Sequence, residues 1–484
     1  MASVTSLGAG SGLDAESIVT KLVALEKQPA DTLTSTNTKL STQVSTWGKI
    51  QSAFSTLQDA AAKLTQSDFW NATTATSSDS TALSVTTTSK AKPGVYSLTV
   101  SKLAQEQYVA SKAYTDKTAA VGEGTIRIEL GKYTSDGGTP PAVTFAAKAA
   151  ATAVDISIGP GDNTLEKIRD RINGANAGVT ASIVNDASGS RLVMRGSSGE
   201  ENAFRVSVTE SGTAPGLSAL AYTAESAAAP EAKQMTQTQA AQNAQATING
   251  LSISSASNTL NEVVDGISLQ LSKVTTSPVN ITVAQDTSAI SKGMSDFVTA
   301  YNSVVSTIRV QTLYDEASKT AGPLQGDATA RGLLSQMRGL IGSNVAASSV
   351  FKRLSDIGLD IKTDGTMSQK SSKFNDALTQ NAAELQKFFS NANTTDATQN
   401  GFAERLRLLS KQILDPASGA INNSTSTLQT MIKRNTTKID AINNHAAIVE
   451  TRLRAQYSAL DTQMSKLSGL SSYVSAQLAA LNKG

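Results

Sequence analysis

Apolar positions near the two ends of the chain recur every three to four residues, whereas those in its middle alternate. Ile18, Leu22 and Leu25 follow Asp14, a residue type that caps helices, although Ser17 rather than Glu stands three residues on and leaves the capping box incomplete. Pro29 and then Asp31 predict a break and the start of a second helix. That helix carries Leu40, Val44, Trp47, Ile50, Phe54, Leu57, Ala61 and Leu64, spaced as in a coiled-coil seam. Trp47 and Phe54 read as packing anchors. At the other end, Phe402 opens an arm broken by Asp415-Pro416-Ala417-Ser418-Gly419. A long stripe follows: Ile439, Ile442, Ala446, Val449, Leu453, Leu460, Leu467, Leu470, Val474 and Leu481. Gln456, Gln463 and Gln477 interrupt it, which weakens a coiled coil and biases its register. Residues 1–12, rich in Gly and Ser, are expected to lack fixed structure in a free monomer.

The middle reads differently. Leu83–Thr87 and Val95–Val100 alternate around Lys92-Pro93-Gly94, which predicts a hairpin. Thr125–Leu130 and Val154–Ile158 predict strands, Thr164 caps a short helix ending at Gly174, and two strands follow around Gly189, giving an α+β unit. The Ala-rich stretch Ala214–Ala232 reads as a linker, loop or weak helix. Strands resume from Ala246 to Val283, with Asn249-Gly250 as a turn, and could pair with the 80–105 region across the insertion. Helical periodicity returns with Ile290, Phe297, Tyr301, Val304, Val305 and Ile308, then at Leu333–Leu340 and Phe374–Phe389, with a small hairpin at Leu359–Thr366 and a polar linker at Ser390–Asn400.

The fold class is therefore multidomain α+β, with terminal α-helical coiled-coil arms, a helical leg domain and β-rich inserted head domains. The expected boundaries are an N-terminal arm over 1–40, a leg from 41–76 with 285–400, a discontinuous β-rich head from 77–105 with 232–284, an inserted α+β head over 106–231, and a C-terminal arm over 401–484. Helices from both ends flanking inserted globular mass point to a protein held in an assembly by its termini.

Composition narrows the chemistry. The absence of cysteine excludes disulfides and thiol catalysis, and a single histidine, His445, removes multi-His metal sites. Aromatic residues make up 4% of the chain, so packing relies on Leu, Ile, Val and Ala, and such thin cores are often completed by neighbouring subunits. Net charge of +2 carries no nucleic-acid signal. The stretch Phe402–Gly484 holds ten Lys/Arg against five Asp/Glu, a mildly basic arm without interleaved aromatics. No apolar run is long enough to span a membrane, and the N-terminus has no signal-peptide pattern, although export by a dedicated apparatus needs none. Glu200-Glu201 reads as solvated, Thr363-Asp364-Gly365-Thr366 lacks the spaced ligands of a calcium loop, and no P-loop is present. No catalytic residue, metal ligand or cofactor site is predicted.

The order of motifs carries a resemblance. SGLDAESIVTKLVALEKQP at the start, AQATINGLSISSASNTLNEVVDGISLQL from residue 244, LDIKTDGTMSQ from 359 and the terminal heptads together resemble the flagellar filament cap family, hook-associated protein 2. The 163–196 segment is similar to a module shared with flagellins and hook proteins. The resemblance implies a structural, non-enzymatic protein at the distal filament tip, exported by the flagellar type III apparatus without a cleaved signal peptide. Its partners would be roughly four to six copies of itself, flagellin, hook–filament junction proteins and an export chaperone at the C-terminal arm, with neither nucleic acid nor membrane insertion. Terminal helices would act as legs on the growing end while arriving flagellin folds and inserts, successive sites opening as the cap rotates. The expected assembly positions are Leu13, Ile18, Leu22, Trp47, Phe54, Ile442, Val449, Leu453, Leu460, Leu467 and Val474. Arg454 and Lys466 read as solvated flanks. The other readings are a flagellin-like or junction protein, a tip adhesin binding host glycans, and a polysaccharide hydrolase carried in the insertion.

Overall fold

The structure, a computed structural model, describes residues 14–317 and 319–481; the expectations for residues 1–12 and for Leu13 lie outside them. Its helices are α1 (Ala15–Thr65), α2 (Ser67–Trp70), α3 (Leu165–Gly174), α4 (Thr287–Thr312), α5 (Ala328–Gly342), α6 (Ser371–Ser390), α7 (Phe402–Leu414) and α8 (Ala420–Leu481). The chain divides into two compact units, one from Met1–Trp70 with Thr287–Gly484 and one from Asn71–Asp286. It is a multidomain α+β protein.

In the first unit, α1 starts where Asp14 Oδ1 accepts the Ser17 N–H at 3.0 Å. It then runs unbroken through Pro29, contrary to the expected second start at Asp31. Proline removes one helical hydrogen bond, to the carbonyl of Leu25, and that turn is exposed, so solvent can take the freed group. Further along, Trp47, Ile50, Phe54, Leu57, Ala61 and Leu64 are buried against α4, α6 and α7. Each of the larger of these side chains, Ala61 excepted, contributes about 1.5–3 kcal/mol through burial. The wall opposite is aromatic: Phe388 and Phe389 meet edge to face at 5.0 Å, and Trp70 stacks on Phe389 at 5.4 Å with its indole N–H donated to the Leu64 carbonyl. Trp47 and Phe54 are thus packing anchors of the leg core, as their spacing indicated, and neither side chain is exposed to meet a partner directly. Phe402, Ala403, Leu406 and Ile413 of α7, which the sequence pattern had grouped with the C-terminal arm, belong to the same core.

The loop after α5 is tied to α6 by Glu384. Its Oε2 accepts Ser348 Oγ–H, Ser349 N–H and Ser349 Oγ–H at 2.9, 2.7 and 2.9 Å, and its Oε1 accepts Lys387 at 2.8 Å. The Lys387 hydrogen bond, then those from Ser349 and Ser348, hold the carboxyl at about 2, against an ordinary 4.5. The polar stretch 391–400 is knitted by side-chain amides: Asn393 N–H donates to Asn400 Oδ1, and Asn391 Nδ2 to the Gln399 carbonyl.

The second unit is built on antiparallel sheets. A five-stranded sheet runs in the order Thr73–Ser77, Val279–Gln285, Gly94–Lys102, Ala244–Ile248, Leu251–Ser255. Its first strand places residues 73–76 here rather than in the leg. A three-stranded sheet orders Thr259–Val264, Ile267–Leu271 and Leu83–Thr87, and the two sheets share a core of Leu83, Leu98, Val100, Ile267, Leu269 and Ile281. Strands on the two sides of the insertion therefore pair with one another. The runs around Lys92-Pro93-Gly94 do not form the predicted hairpin: Leu83–Thr87 pairs with Ile267–Leu271, and Gly94–Lys102 pairs in the other sheet. The segment between them crosses from sheet to sheet, so both runs bury one face in the same core without pairing. Asn249 and Gly250, at φ 48° and 84°, make the tight turn between Ala244–Ile248 and Leu251–Ser255.

Within the insertion, Gly124–Ser135 pairs with Ala203–Glu210, Val143–Ala147 and Val154–Ile158. Glu106–Ala110, Thr180–Asp186, Gly189–Ser198 and Thr236–Gln239 form a second sheet. Leu165, Ile168 and Ile172 of α3 enter the core, with Phe204 and Met194. The Ala-rich 214–232 stretch is more than a linker: it makes two 3-10 turns and buries Leu217, Leu220 and Tyr222. Gly189, at φ +131°, tolerates no side chain because a Cβ would stand 2.2 Å from the Tyr114 carbonyl oxygen.

Two tests follow from the leg core. Phe54→Ala should lower the stability of the first unit by about 3–5 kcal/mol in denaturant unfolding, through lost burial and an uncollapsed cavity. Glu384 has a depressed carboxyl, so its contribution is complete above pH 4.5 and is lost as pH falls towards about 2. Glu384→Gln should accordingly flatten the decline of Tm between those pH values while lowering Tm at pH 7.

Candidate functional site

The surface with functional character is the pairing of α1 with α8 and the stretch of α8 beyond it. The two helices run antiparallel, as successive contacts show. Glu16 meets Arg454, Glu26 Oε2 lies 3.8 Å from His445 Nδ1, and Asn37 accepts a hydrogen bond from Asn435 Nδ2 at 2.9 Å while donating to Thr436. Apolar contact at the tip is small: Val19, Val23 and Ala446 are buried together, with Leu453 and Tyr457 beside them.

Arg454 closes the tip. Its two terminal nitrogens donate to the two Glu16 oxygens, each at 2.6 Å, and its Nε donates to Glu450 at 2.9 Å. This fork geometry is the strong form of a carboxylate pair. The Arg454 hydrogen bond holds the Glu16 carboxyl below its ordinary value, and Glu16, followed by Glu450, raises Arg454. Arg454 keeps much of the exposure the sequence indicated and is nevertheless part of the pairing. Between tip and leg, most Ser and Thr hydroxyls turn back on their own helix: Thr32, Thr34, Thr36, Thr38 and Thr42 donate to the carbonyl four residues before, as do Thr427, Thr430, Thr436 and Thr437. They add little adhesion between helices.

The structure sorts the predicted assembly residues. Val449 is buried and Ile442 and Leu453 are half-buried along the α1–α8 pairing. Ile18 and Leu22 lie on the outer face of α1, 36% and 39% exposed, because the inward positions belong to Val19 and Val23, one residue on. Leu460, Leu467 and Val474 are exposed, Leu467 by 59%. Sequence reasoning missed Met464, Tyr473 and Leu478, which are exposed in the same stretch. Tyr457, Met464 and Leu478 extend a four–three alternation with Leu453, Leu460, Leu467 and Val474 that is interrupted at Ser471, a signal present in the sequence. A run of exposed apolar side chains of this kind is a candidate interaction surface.

Other candidates resolve into structure. Glu200 pairs with Lys132 at 2.7 Å. Asp364 accepts the N–H and hydroxyl of Thr366, which lower its carboxyl. Among the described residues, no three His, Asp or Glu side chains converge to hold a metal ion, and no helix is long and apolar enough to cross a membrane.

Fold and surface together define a structural protein of an assembly, with its terminal helices as the arm. Three family models match: flagellar hook-associated protein 2 N-terminus over residues 11–107, flagellin hook IN motif over 134–198, and flagellar hook-associated protein 2 C-terminus over 241–469. The chain is 31% identical to flagellar hook-associated protein 2 of Escherichia coli (strain K12), covering 99% of this chain and 98% of that protein. It is 30% identical to B-type flagellar hook-associated protein 2 of Pseudomonas aeruginosa, over 99% and 98%. The crystal structure of the flagellar cap protein FliD D1-D2-D3 domains from Escherichia coli superposes with a TM-score of 0.64 at 30% identity, covering 79% of this chain and 99% of that one. The chain belongs to the flagellar hook-associated protein 2 family, which is a family of structural flagellar cap proteins.

Hydrogen exchange tests the pairing. Amides of residues 460–478 should exchange fastest within α8 and those of 47–64 slowest within α1, because only the latter pack into a core. Glu16→Gln should speed exchange over 16–24 and 446–457 and leave 47–64 unchanged. Acid should act similarly in the wild type, since a depressed carboxyl contributes above its ordinary 4.5 and is lost as pH falls below it.

Proposed function

We propose that this chain caps the distal end of a flagellar filament as a homo-oligomer, holding exported flagellin there while it folds and inserts. The observation that carries the reading is the apolar stripe of α8 from Leu460 to Leu478, which continues the seam paired with α1 and is uncovered among the described residues. A second helix laid on it would bury several large side chains, each contributing about 1.5–3 kcal/mol. The relatives named as hook-associated protein 2 and as a flagellar cap protein support the same reading. No covalent chemistry is required.

In this reading the assembly positions are Leu13, Ile18, Leu22, Ile442, Val449, Leu453, Leu460, Leu467 and Val474. Trp47 and Phe54 support them from the leg core. The working division is a helical leg with paired terminal arms and a β-rich head composed of a discontinuous part and an inserted α+β part. Partners are further copies, roughly four to six in all, flagellin, the hook–filament junction proteins, and an export chaperone on the C-terminal arm. The site of action is extracellular, at the filament tip, after export by the flagellar type III apparatus.

Leu467→Asp places a carboxylate where an apolar contact is required, at a cost of several kcal/mol if buried unpaired. Cells carrying it should release unpolymerised flagellin into the medium and lack full-length filaments, while the purified variant unfolds like the wild type. Lys466→Ala, one residue away and exposed, should leave filaments normal. Normal filaments from Leu467→Asp at matched secretion would refute the role of this stripe.

A further inference from the structure

A cleft of about 780 Å³ opens on the leg between α4, the end of α5 and the hairpin Leu359–Ile361/Met367–Gln369. Three cations from three elements converge on it: Arg338 of α5, Arg353 of the loop that follows, and Lys362 of the hairpin turn. The carboxylates nearby are otherwise engaged. Asp360 pairs with Lys370 at 2.8 Å, and Asp364 with Arg309 at 3.4 Å and with Thr366, Lys362 adding only a longer-range attraction. Asp356 accepts the backbone N–H groups of Lys352 and Arg353. Among the described residues, Arg338, Arg353 and Lys362 make no salt bridge. Arg353 is nevertheless oriented, its Nε donating to Asn344 Oδ1 at 3.0 Å.

The walls are aliphatic, from Ile341, Leu354 and Ile361. The hairpin adds a main-chain element. Lys370 N–H donates to the Gly358 carbonyl and Lys362 N–H to that of Thr366, so 358/370 and 362/366 are hydrogen-bonded positions of the ladder. By alternation, Leu359 and Ile361 turn their N–H and C=O groups away from Met367–Gln369, and no further strand pairs there among the described residues. Leu359 is buried, so this edge is open at Ile361 alone, which is 39% exposed.

We infer that this cleft binds a short extended acidic peptide segment of a partner protein, its carboxylates taken by Arg338, Arg353 and Lys362 and its aliphatic side chains by Ile341 and Ile361. Cations spread across a cleft of this size suit a chain with several charges rather than one compact anion, and the apolar walls suit side chains between the charges. The outward N–H and C=O of Ile361 give the segment one backbone pair, which fixes its direction. This site lies apart from the α8 stripe and does not rest on the capping role.

The test uses the purified full chain and a fluorescein-labelled six-residue peptide alternating valine with glutamate, followed by anisotropy. The glutamate peptide should bind saturably, weaken as salt is raised, and exceed a glutamine-for-glutamate version by about tenfold or more. Arg338→Ala with Lys362→Ala should lose about tenfold or more in affinity with an unchanged unfolding curve. Lys39→Ala with Lys433→Ala, which removes the same charge from exposed positions elsewhere, should bind as the wild type does. Equal affinity of the two peptides, equal loss in the two double variants, or no saturation at about 1 mM peptide would overturn the inference. Displacement by inorganic phosphate at the concentration that works for unlabelled peptide would overturn the peptide assignment.

Discussion

The leg can exist only if α1 meets helices that follow a long insertion, and the insertion itself lowers the cost of that meeting. Its first strand, Thr73–Ser77, pairs in register with its last, Val279–Gln285, and Asp286 N–H donates to the Ala72 carbonyl at 2.8 Å. Once the second unit is folded, its two ends leave side by side. Closing α1 onto α4 then resembles closing a short loop, and inserted length adds little, since each doubling of a flexible loop costs only about 0.6 kcal/mol. Pairing of the strands that begin and end the second unit thus lowers the entropic cost of bringing the Trp47–Leu64 stripe against the aromatic wall of α6 and α7.

From that core outwards, α1 changes character without changing structure. Its inner half buries a large side chain at nearly every inward position, and its outer half buries only Ala15, Val19, Val23 and Ala30. The Thr-rich stretch between turns its hydroxyls onto its own backbone, which gives α8 few groups to hold. The arm is thereby a stiff pair of helices with a weak mutual seam. The Arg454–Glu16 fork is specific in geometry yet solvent-exposed, and exposed ion pairs contribute little to stability and are screened by salt. It sets register at the tip more than it locks the pair.

Much of this was legible in the sequence because the signals were local. Asp14 as a cap, the Trp47–Leu64 stripe, Asn249-Gly250 and the strand–helix–strand–strand run around α3 each follow from a few neighbouring residues. The failures are of a different kind. Ile18 and Leu22 satisfy helical spacing as well as Val19 and Val23 do. Only the position of α8 decides which face turns inward, and smaller residues win because the paired helices lie close. Pro29 reads as a stop by propensity, yet an exposed turn can lose one hydrogen bond while the rest of the helix continues. Around Pro93 the alternation was right and the pairing wrong, since periodicity reveals which face is buried and not which strand lies beside it. For α7, the break at Asp415–Gly419 was a stronger boundary than the onset at Phe402, and the stripe Phe402, Leu406 and Ile413 belonged to the leg. The Arg454 pairing spans nearly the whole chain and has no local signature.

The seam of α8 carries the argument one step further. Ile439, Ala446, Leu453, Leu460, Leu467, Val474 and Leu481 stand seven residues apart, so the repeat crosses without a shift from the part paired with α1 into the part that is not paired among the described residues. A repeat of seven holds one face towards a partner only if the helix supercoils with it. A helix that served its own leg alone would need that register only as far as the contacts with Glu16 and Val19. The phase holds past Leu460, with half-buried or buried Ile439, Ala446 and Leu453 before it and exposed Leu467 and Val474 after it, so one face of the helix passes from covered to uncovered among the described residues. Along that face the intramolecular contact with α1 is the smaller apolar one, and the larger side chains are those that α1 does not cover among the described residues.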